Sequence, residues 1–273
     1  MRPIDATTPA SPASPDGGAV LQAVLFDMDG LLVDTEPLWF EVERAVMAGL
    51  GGDWTEQDQR ALVGGSMDAS VGYLIDRATR PASHRKVARD LIGRMARLLA
   101  GRQIPVMPGA IELYAQVRAA GLPYALVTSS ERIIMDAVLA GLADRGVGFD
   151  VTVCGEDVRH AKPHPEPYQR AAELLGVDPR RCVALEDSPN GIAAAEAAGC
   201  ATVAVPHVAP IPQRPGRLVV SSLAQVDLAA LRDLVSARSD QAFSLTKARP
   251  ASHRQMIARP TDTAMPSTTT ELK

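Results

Sequence analysis

Short apolar segments alternate with helical segments over the second half of the chain, and this alternation is the strongest constraint on the fold. Strands that alternate with helices are typical of parallel β-α-β units. The predicted strands span residues 124–127, 151–154, 182–185, 201–205 and 218–220. The predicted helices span residues 110–119, 131–139, 167–175, 189–198 and 223–235, and Gly121, Gly141, Gly176 and Gly199 should end the first four. The pattern predicts an α/β fold with a Rossmann-like, doubly wound parallel sheet.

A block of helices interrupts this pattern directly after the first apolar segment. Between Glu36 and Gly101 the apolar spacing predicts helices and no strand, with helices at residues 38–50, 67–77 and 83–99 and a helix start at Thr55. We therefore predict a core formed by residues 19–34 and 105–238, with a helical cap at residues 35–104. Residues 1–18 and 239–273 lack an apolar pattern, so the sequence predicts disorder at both ends.

Composition and charge narrow the classes of partner. The net charge of −4 gives no basic excess for nucleic acid, and no apolar run reaches the roughly 18–20 residues of a membrane span. No secretory signal precedes the core, so we expect a cytoplasmic protein. We also expect it to be a monomer or weak dimer. The three cysteines, Cys154, Cys182 and Cys200, form no Cys-x-x-Cys pair and should be reduced core residues.

Two aspartates follow the first buried strand. Asp27 and Asp29 lie two residues apart, so they begin on one side of the strand, and Gly30 turns the chain directly after them. Ligands of open α/β sheets bind at the carboxyl ends of strands, and close carboxylates repel unless a cation neutralises them. The pair indicates a divalent cation with oxygen ligands. An ordinary Asp-x-Asp-Gly turn is the alternative.

Three later strands also end in polar residues. Thr128 and Ser129 follow the second strand and suit phosphate oxygens, although an ordinary helix N-cap would explain such a run too. Lys162, stiffened by neighbouring prolines, could neutralise buried acids or a phosphate, or be a solvated loop residue. Glu186 and Asp187 end another buried strand. Because two strands of one sheet both end in paired acids, a cation site explains the acids better than coincidence does.

The order of these motifs resembles the haloacid dehalogenase-like hydrolase superfamily. The segments from Phe26 to Trp39 and from Ala184 to Ile192 carry the resemblance. It covers about residues 20–235. The helical insert is similar to the cap of the β-phosphoglucomutase and sugar-phosphate phosphatase branch. The resemblance implies that Asp27 is a nucleophile that forms an aspartyl-phosphate and that Asp29 is a general acid and base.

The resemblance also implies a Mg²⁺ site. Its ligands would be the Asp27 carboxylate, the Asp29 backbone carbonyl and Asp187, with Glu186 acting indirectly or through water. Thr128, the Ser129 amide and Lys162 would hold the transferring phosphoryl group.

The expected substrate is a small phosphorylated metabolite, with sugar or polyol monophosphates as the leading class. Where the mutase pattern has a histidine and an arginine, this chain has Trp39 and Met67, which suit a substrate carbon backbone and cannot neutralise a second phosphate. Arg94 and Arg97 on the last cap helix could compensate. A β-phosphoglucomutase-type phosphomutase and a catalytically weak binding or regulatory module therefore remain as alternatives.

Overall fold

The computed structural model describes residues 20–62, 65–100, 102–207 and 210–247, with backbone alone for residues 239–247. The predicted N-terminal extension, residues 1–18, and residues 248–273 of the predicted tail lie outside the described residues.

Within the described chain, six strands form one parallel sheet, as the alternation predicted. They are β1 (Ala23–Phe26), β2 (Tyr124–Val127), β3 (Val151–Val153), β4 (Cys182–Glu186), β5 (Ala201–Ala204) and β6 (Arg217–Val219). Their order across the sheet is β3-β2-β1-β4-β5-β6, so β1 lies between β2 and β4. Phe26 is in register with Leu126 and Leu185, which brings the residues that follow these three strands to one edge.

Helices cover both faces of the sheet. The α-helices of the described residues are α1 (Glu36–Gly49), α2 (Glu56–Arg60), α3 (Met67–Arg77), α4 (His84–Ala100), α5 (Ala110–Ala119), α6 (Arg132–Leu142), α7 (Glu166–Leu175), α8 (Pro189–Ala198) and α9 (Leu228–Lys247). Alternate residues of β1 enter different apolar clusters: Val24 and Phe26 lie in one, and Ala23 and Leu25 in the other. Burial on both faces explains why this strand is continuously apolar.

Helices α1 to α4 form the block inserted after β1. Thr55 begins α2 with a capping box in which its side chain and that of Asp58 bond reciprocally to backbone N–H groups, as the predicted helix start required. Helix α4 packs against α1 and α3 and also against α6 beside the sheet. Its buried Leu91 and Met95 therefore belong to the same apolar cluster as the core residues around Phe26.

Two predicted helix ends were wrong. Gly141 does not end α6, which continues to Leu142 and then tightens into a 3₁₀ turn closed by Gly146 at φ 72°. Gly141 instead allows close packing, because a Cβ there would lie 2.6 Å from Ile104 Cδ1.

The last helix also differs from its predicted range, 223–235. Leu223–Gln225 forms a 3₁₀ turn, and α9 begins at Leu228, where Asp227 Oδ1 accepts the Ala230 N–H at 2.9 Å. The helix reaches Lys247 and thus enters the predicted disordered tail. No glycine or proline lies between residues 239 and 247, and adding a residue to an existing helix forms one more hydrogen bond.

The three cysteines are buried and unpaired, as predicted. No helix in the described part of the chain combines the length and apolar character that a membrane crossing requires.

Candidate active site

A buried lysine joins two carboxylates at the carboxyl edge of the sheet. Lys162 Nζ lies 2.6 Å from Asp27 Oδ1 and 2.7 Å from Glu186 Oε1, and it also donates to the Val127 carbonyl at 2.9 Å. Asp27 directly follows β1 and Glu186 ends β4, so the neighbouring strands place the two acids side by side. The structure therefore brings together residues that are far apart in the sequence and gives Lys162 the acid-neutralising position proposed for it.

Glu186 is held on both oxygens. Its Oε1 accepts from Lys162 and from the Tyr168 hydroxyl at 2.6 Å, and its Oε2 accepts from the backbone N–H groups of Asp187 and Ser188. Gly191 leaves room for this carboxylate, since a Cβ there would lie within 2.1 Å of both oxygens. These contacts fit the indirect role that the sequence suggested for Glu186.

Three acidic side chains share one lysine in this cluster. Burial and, to a smaller extent, the neighbouring Glu186 raise the pKa of Asp27 to about 8, although Lys162 acts in the opposite direction. Burial also raises the pKa of Asp187 well above its usual value, and Asp27 and Glu186 act in the same direction. Burial alone would lower the pKa of Lys162, but Asp27 and Glu186 raise it above its ordinary value. One lysine cation therefore faces three buried carboxyl groups.

Hydroxyl groups fix the second aspartate of the Asp-x-Asp pair. Asp29 Oδ1 accepts from Thr35 Oγ1, and Asp29 Oδ2 accepts from Ser130 Oγ at 2.8 Å and from Thr128 Oγ1 at 3.3 Å. Ser130 does not cap α6, because the N-cap position is Glu131 and its side chain makes no capping bond. The ordinary N-cap explanation for this run is therefore wrong, and Ser130 is a site residue that the sequence reasoning missed.

The loop that carries Lys162 is closed by Glu166. Glu166 Oε1 accepts the Arg159 N–H at 2.8 Å, and Glu166 Oε2 accepts the His160 N–H at 3.1 Å and contacts His160 Nδ1 at 2.8 Å. The Lys162–Pro163 peptide bond is cis. The loop backbone is thus tied to the start of α7, and Lys162 points from it into the sheet edge.

A single pocket opens over these groups. It is lined by all of the predicted polar site residues except Glu186 and by residues of the inserted helices, among them Trp39 and Met67. The predicted lining members are Asp27, Asp29, Thr128, Ser129, Lys162 and Asp187. The amphipathic α1 directs Trp39 toward this pocket, which explains why a large aromatic residue is only partly buried there.

Three further acids line the pocket and were missed by the sequence reasoning: Glu36, Glu43 and Glu131. Burial raises the pKa of Glu36 to about 7, and Asp29 contributes. Burial likewise raises the pKa of Glu43 to about 8 and that of Glu131 to about 7. Glu36 and Glu43 lie seven residues apart, two helical turns on α1, and this spacing is the signal that could have paired them on one face.

Arg94 and Arg97 of the last inserted helix, which could have compensated for the missing cations, do not line the pocket. Arg94 pairs with Asp90 on the same helix at 2.9 Å, and Arg97 is exposed. Among the described residues that line the pocket, Lys162 is the one cation.

The carboxylates suit a hard metal ion. Asp27, Glu186 and Asp187 each offer an oxygen, and these oxygens lie within 4.8 Å of one another. Gly30, at φ 80°, lets the loop after β1 approach, since a Cβ there would lie 2.3 Å from Asp187 Oδ2. Carboxylate oxygens are ligands that Mg²⁺ prefers, so the residues fit the predicted ion.

Comparison with known proteins agrees with this geometry. The sequence model of the haloacid dehalogenase-like hydrolases matches residues 21–199. The chain belongs to the haloacid dehalogenase-like hydrolase family. It is 36% identical over 219 residues to hexitol phosphatase B of Escherichia coli (strain K12), covering 78% of this chain and 94% of that protein. It is 33% identical over 195 residues to protein CbbY of Rhodobacter capsulatus, covering 68% and 86% of the two chains.

A solved structure gives the same assignment. The crystal structure of CbbY from Rhodobacter sphaeroides in complex with phosphate has a TM-score of 0.70 and 30% sequence identity, and the match covers 77% of this chain and 99% of that chain. This haloacid dehalogenase-like hydrolase thus shares its fold and its family with enzymes of the predicted branch.

Proposed function

We propose that this hydrolase is a Mg²⁺-dependent phosphatase that hydrolyses small phosphorylated metabolites, chiefly sugar or polyol monophosphates, through an aspartyl-phosphate at Asp27. The observation that carries the proposal is the buried Asp27 carboxylate facing a pocket beside Lys162, with Asp29 two residues away. The similarity to a hexitol phosphatase supports a polyol or sugar substrate.

The first step would be attack on phosphorus. An Asp27 carboxylate oxygen forms a bond to phosphorus while the bond from phosphorus to the leaving oxygen breaks. Asp29, oriented by the hydroxyls of Thr35, Thr128 and Ser130, gives its proton to that leaving oxygen. Lys162 faces the attacked group and offsets the charge on the phosphoryl oxygens.

The second step would release phosphate. The Asp29 carboxylate takes a proton from water as the water oxygen bonds to phosphorus, and the bond between phosphorus and Asp27 breaks. The enzyme returns to its starting state and inorganic phosphate leaves. Thr128 and the Ser129 amide, in the loop between β2 and α6, would hold the phosphoryl oxygens during both steps.

Asp27, Asp187 and the Asp29 carbonyl would hold Mg²⁺, with Glu186 acting through Lys162 and the neighbouring amides. When bound, the ion supplies positive charge to the transferring phosphoryl group. The three buried carboxyl groups and single lysine support a requirement for such a cation. We further propose that α1 to α4 form a cap domain, because Trp39 and Met67 line the pocket from that side.

Phosphatase activity is favoured over mutase activity by the pocket charges. A mutase must neutralise a second, non-transferring phosphate, and Lys162 is the one cation among the described lining residues. A different class, a binding or regulatory module, would not need the complete set of Asp27, Asp29, Lys162 and Asp187.

The test is a panel of phosphorylated hexoses and hexitols, assayed for inorganic phosphate with Mg²⁺ and with excess EDTA. We expect release that depends on Mg²⁺. Full activity in EDTA would contradict the metal requirement. Fast conversion of β-glucose 1-phosphate to glucose 6-phosphate without phosphate release, given a trace of the bisphosphate, would favour the mutase.

A further inference from the structure

Glu131 places an unsatisfied hydrogen-bond acceptor in the pocket wall. Its Oε2 is buried and has no hydrogen-bond partner among the described residues. A buried acceptor without a donor costs roughly 1–3 kcal/mol. Such an atom in the wall of an active-site pocket is satisfied when a bound molecule supplies the missing donor.

Glu36 lines the same pocket from the inserted helices. Its Oε2 accepts from Gln59 Nε2 at 3.0 Å, and Gln59 also donates to the Glu36 backbone carbonyl at 2.7 Å. This double contact fixes the start of α1 against α2 and leaves Glu36 in the lining. The two glutamates therefore come from different elements, one from α1 and one from the N-cap of α6.

The described lining around these carboxyl groups offers apolar surface and a further acid but no free cation. Trp39 and Met67 supply apolar surface to the lining, and Glu43 supplies a third carboxyl group. The cation of the lining, Lys162, is already bonded to Asp27 and Glu186. A second phosphate bound near Glu131 and Glu36 would thus meet carboxyl oxygens, and the described lining offers it no free cation to pair with.

We propose that Glu131, together with Glu36, selects monophosphates whose leaving group is uncharged and rich in hydroxyls. The hydroxyl groups donate to the glutamate oxygens, and the carbon backbone packs on Trp39. A second phosphate or a carboxylate on the leaving group finds no cation there to pair with. This inference rests on the proposed phosphatase function and specifies its substrate class.

The experiment compares kcat/KM for three substrates: glucitol 6-phosphate, glucose 1,6-bisphosphate and p-nitrophenyl phosphate. We expect the wild-type enzyme to prefer glucitol 6-phosphate over the bisphosphate by at least about tenfold, since an unpaired buried charge costs more than a lost neutral contact. Glu131→Lys should shift this preference toward the bisphosphate by about tenfold or more. Glu131→Gln keeps an acceptor oxygen and should retain much of the activity on glucitol 6-phosphate.

Glu112→Lys is the matched control, because it makes the same change of charge at an exposed position of α5 outside the pocket lining. It should leave the ratio of the two sugar substrates unchanged. If Glu131→Lys and Glu131→Gln both fold, as thermal melting will show, and neither alters the ratio beyond Glu112→Lys, the inference is wrong. Hydrolysis of p-nitrophenyl phosphate would then still support the phosphatase. A wild-type enzyme that releases no phosphate from any of the three would overturn both the proposed function and the inference.

Discussion

Replacing Lys162 by methionine should both destabilise the fold and abolish turnover. The lysine is buried, and its Nζ bonds to Asp27 at 2.6 Å, Glu186 at 2.7 Å and the Val127 carbonyl at 2.9 Å. Removing one partner of a buried ion pair costs about 3–5 kcal/mol, because the remaining charge loses its counter-ion without regaining water. For a domain of this size that corresponds to a Tm lower by roughly 6–20 °C.

The assay is urea unfolding at pH 7 without added metal, followed by circular dichroism. Lys86→Met, at an exposed position of α4, is the matched control and should change the free energy of unfolding by less than about 0.5 kcal/mol. The double variant Lys162→Met/Glu186→Gln should recover part of the lost stability but not the turnover. If Lys162→Met were as stable as Lys86→Met, the buried network would not hold the site together as argued.

Three further outcomes test separate parts of the structure. Burial raises the pKa of Glu43 to about 8 from an ordinary 4.5, so the folded protein keeps a proton that the unfolded chain releases, and stability falls as pH rises between these values. Glu43→Gln should therefore raise Tm more at about pH 9 than at about pH 5, and an equal effect at both would contradict the assigned burial. Gly191→Ala should lower stability and activity by displacing Glu186, whereas Gly72→Ala, where a Cβ meets nothing within 4 Å, should be neutral or stabilise α3 by up to about 1 kcal/mol in thermal melts. Asp187→Ala should raise the Mg²⁺ concentration for half-maximal activity by at least about tenfold and Glu186→Ala by less, and the reverse order would reassign the direct ligand.

The sheet was predictable because its signal is local and repeated. β1 is apolar at every position, and a helix follows each of β2, β3 and β4. Three of the glycines predicted to end helices do so: Gly121, Gly176 and Gly199 each adopt a left-handed backbone conformation just after a helix. Gly141 failed as a stop because its role is set by Ile104, a contact 37 residues away that no local pattern contains.

The central site residues were predictable for a related reason. Polar residues at the ends of buried parallel strands meet at one edge whatever the order of the strands, so Asp27, Lys162 and Asp187 could be grouped before their contacts were known. The individual contacts of these side chains could not be predicted. The sequence did not show that Glu186 pairs with Lys162, or that Ser130 bonds to Asp29, since both depend on side-chain directions.

The acidic residues of the pocket wall were missed because their role depends on how the inserted helices face the sheet. Glu36 and Glu43 look like ordinary surface acids in the sequence, and Glu131 looks like a helix start. The structure places all three in one lining, and that arrangement follows from the packing of α4 on α6 rather than from any motif.

The most direct test of the account is to look for a phosphoryl group on Asp27. The enzyme is mixed with a hexitol phosphate and Mg²⁺, quenched in acid within the first turnover and examined by peptide mass spectrometry. We expect one added phosphoryl group on the peptide that contains Asp27, and in Asp27→Asn no such group and turnover lower by at least about a thousandfold. Near-normal phosphate release by pure Asp27→Asn would contradict the nucleophile assignment and with it the proposed mechanism.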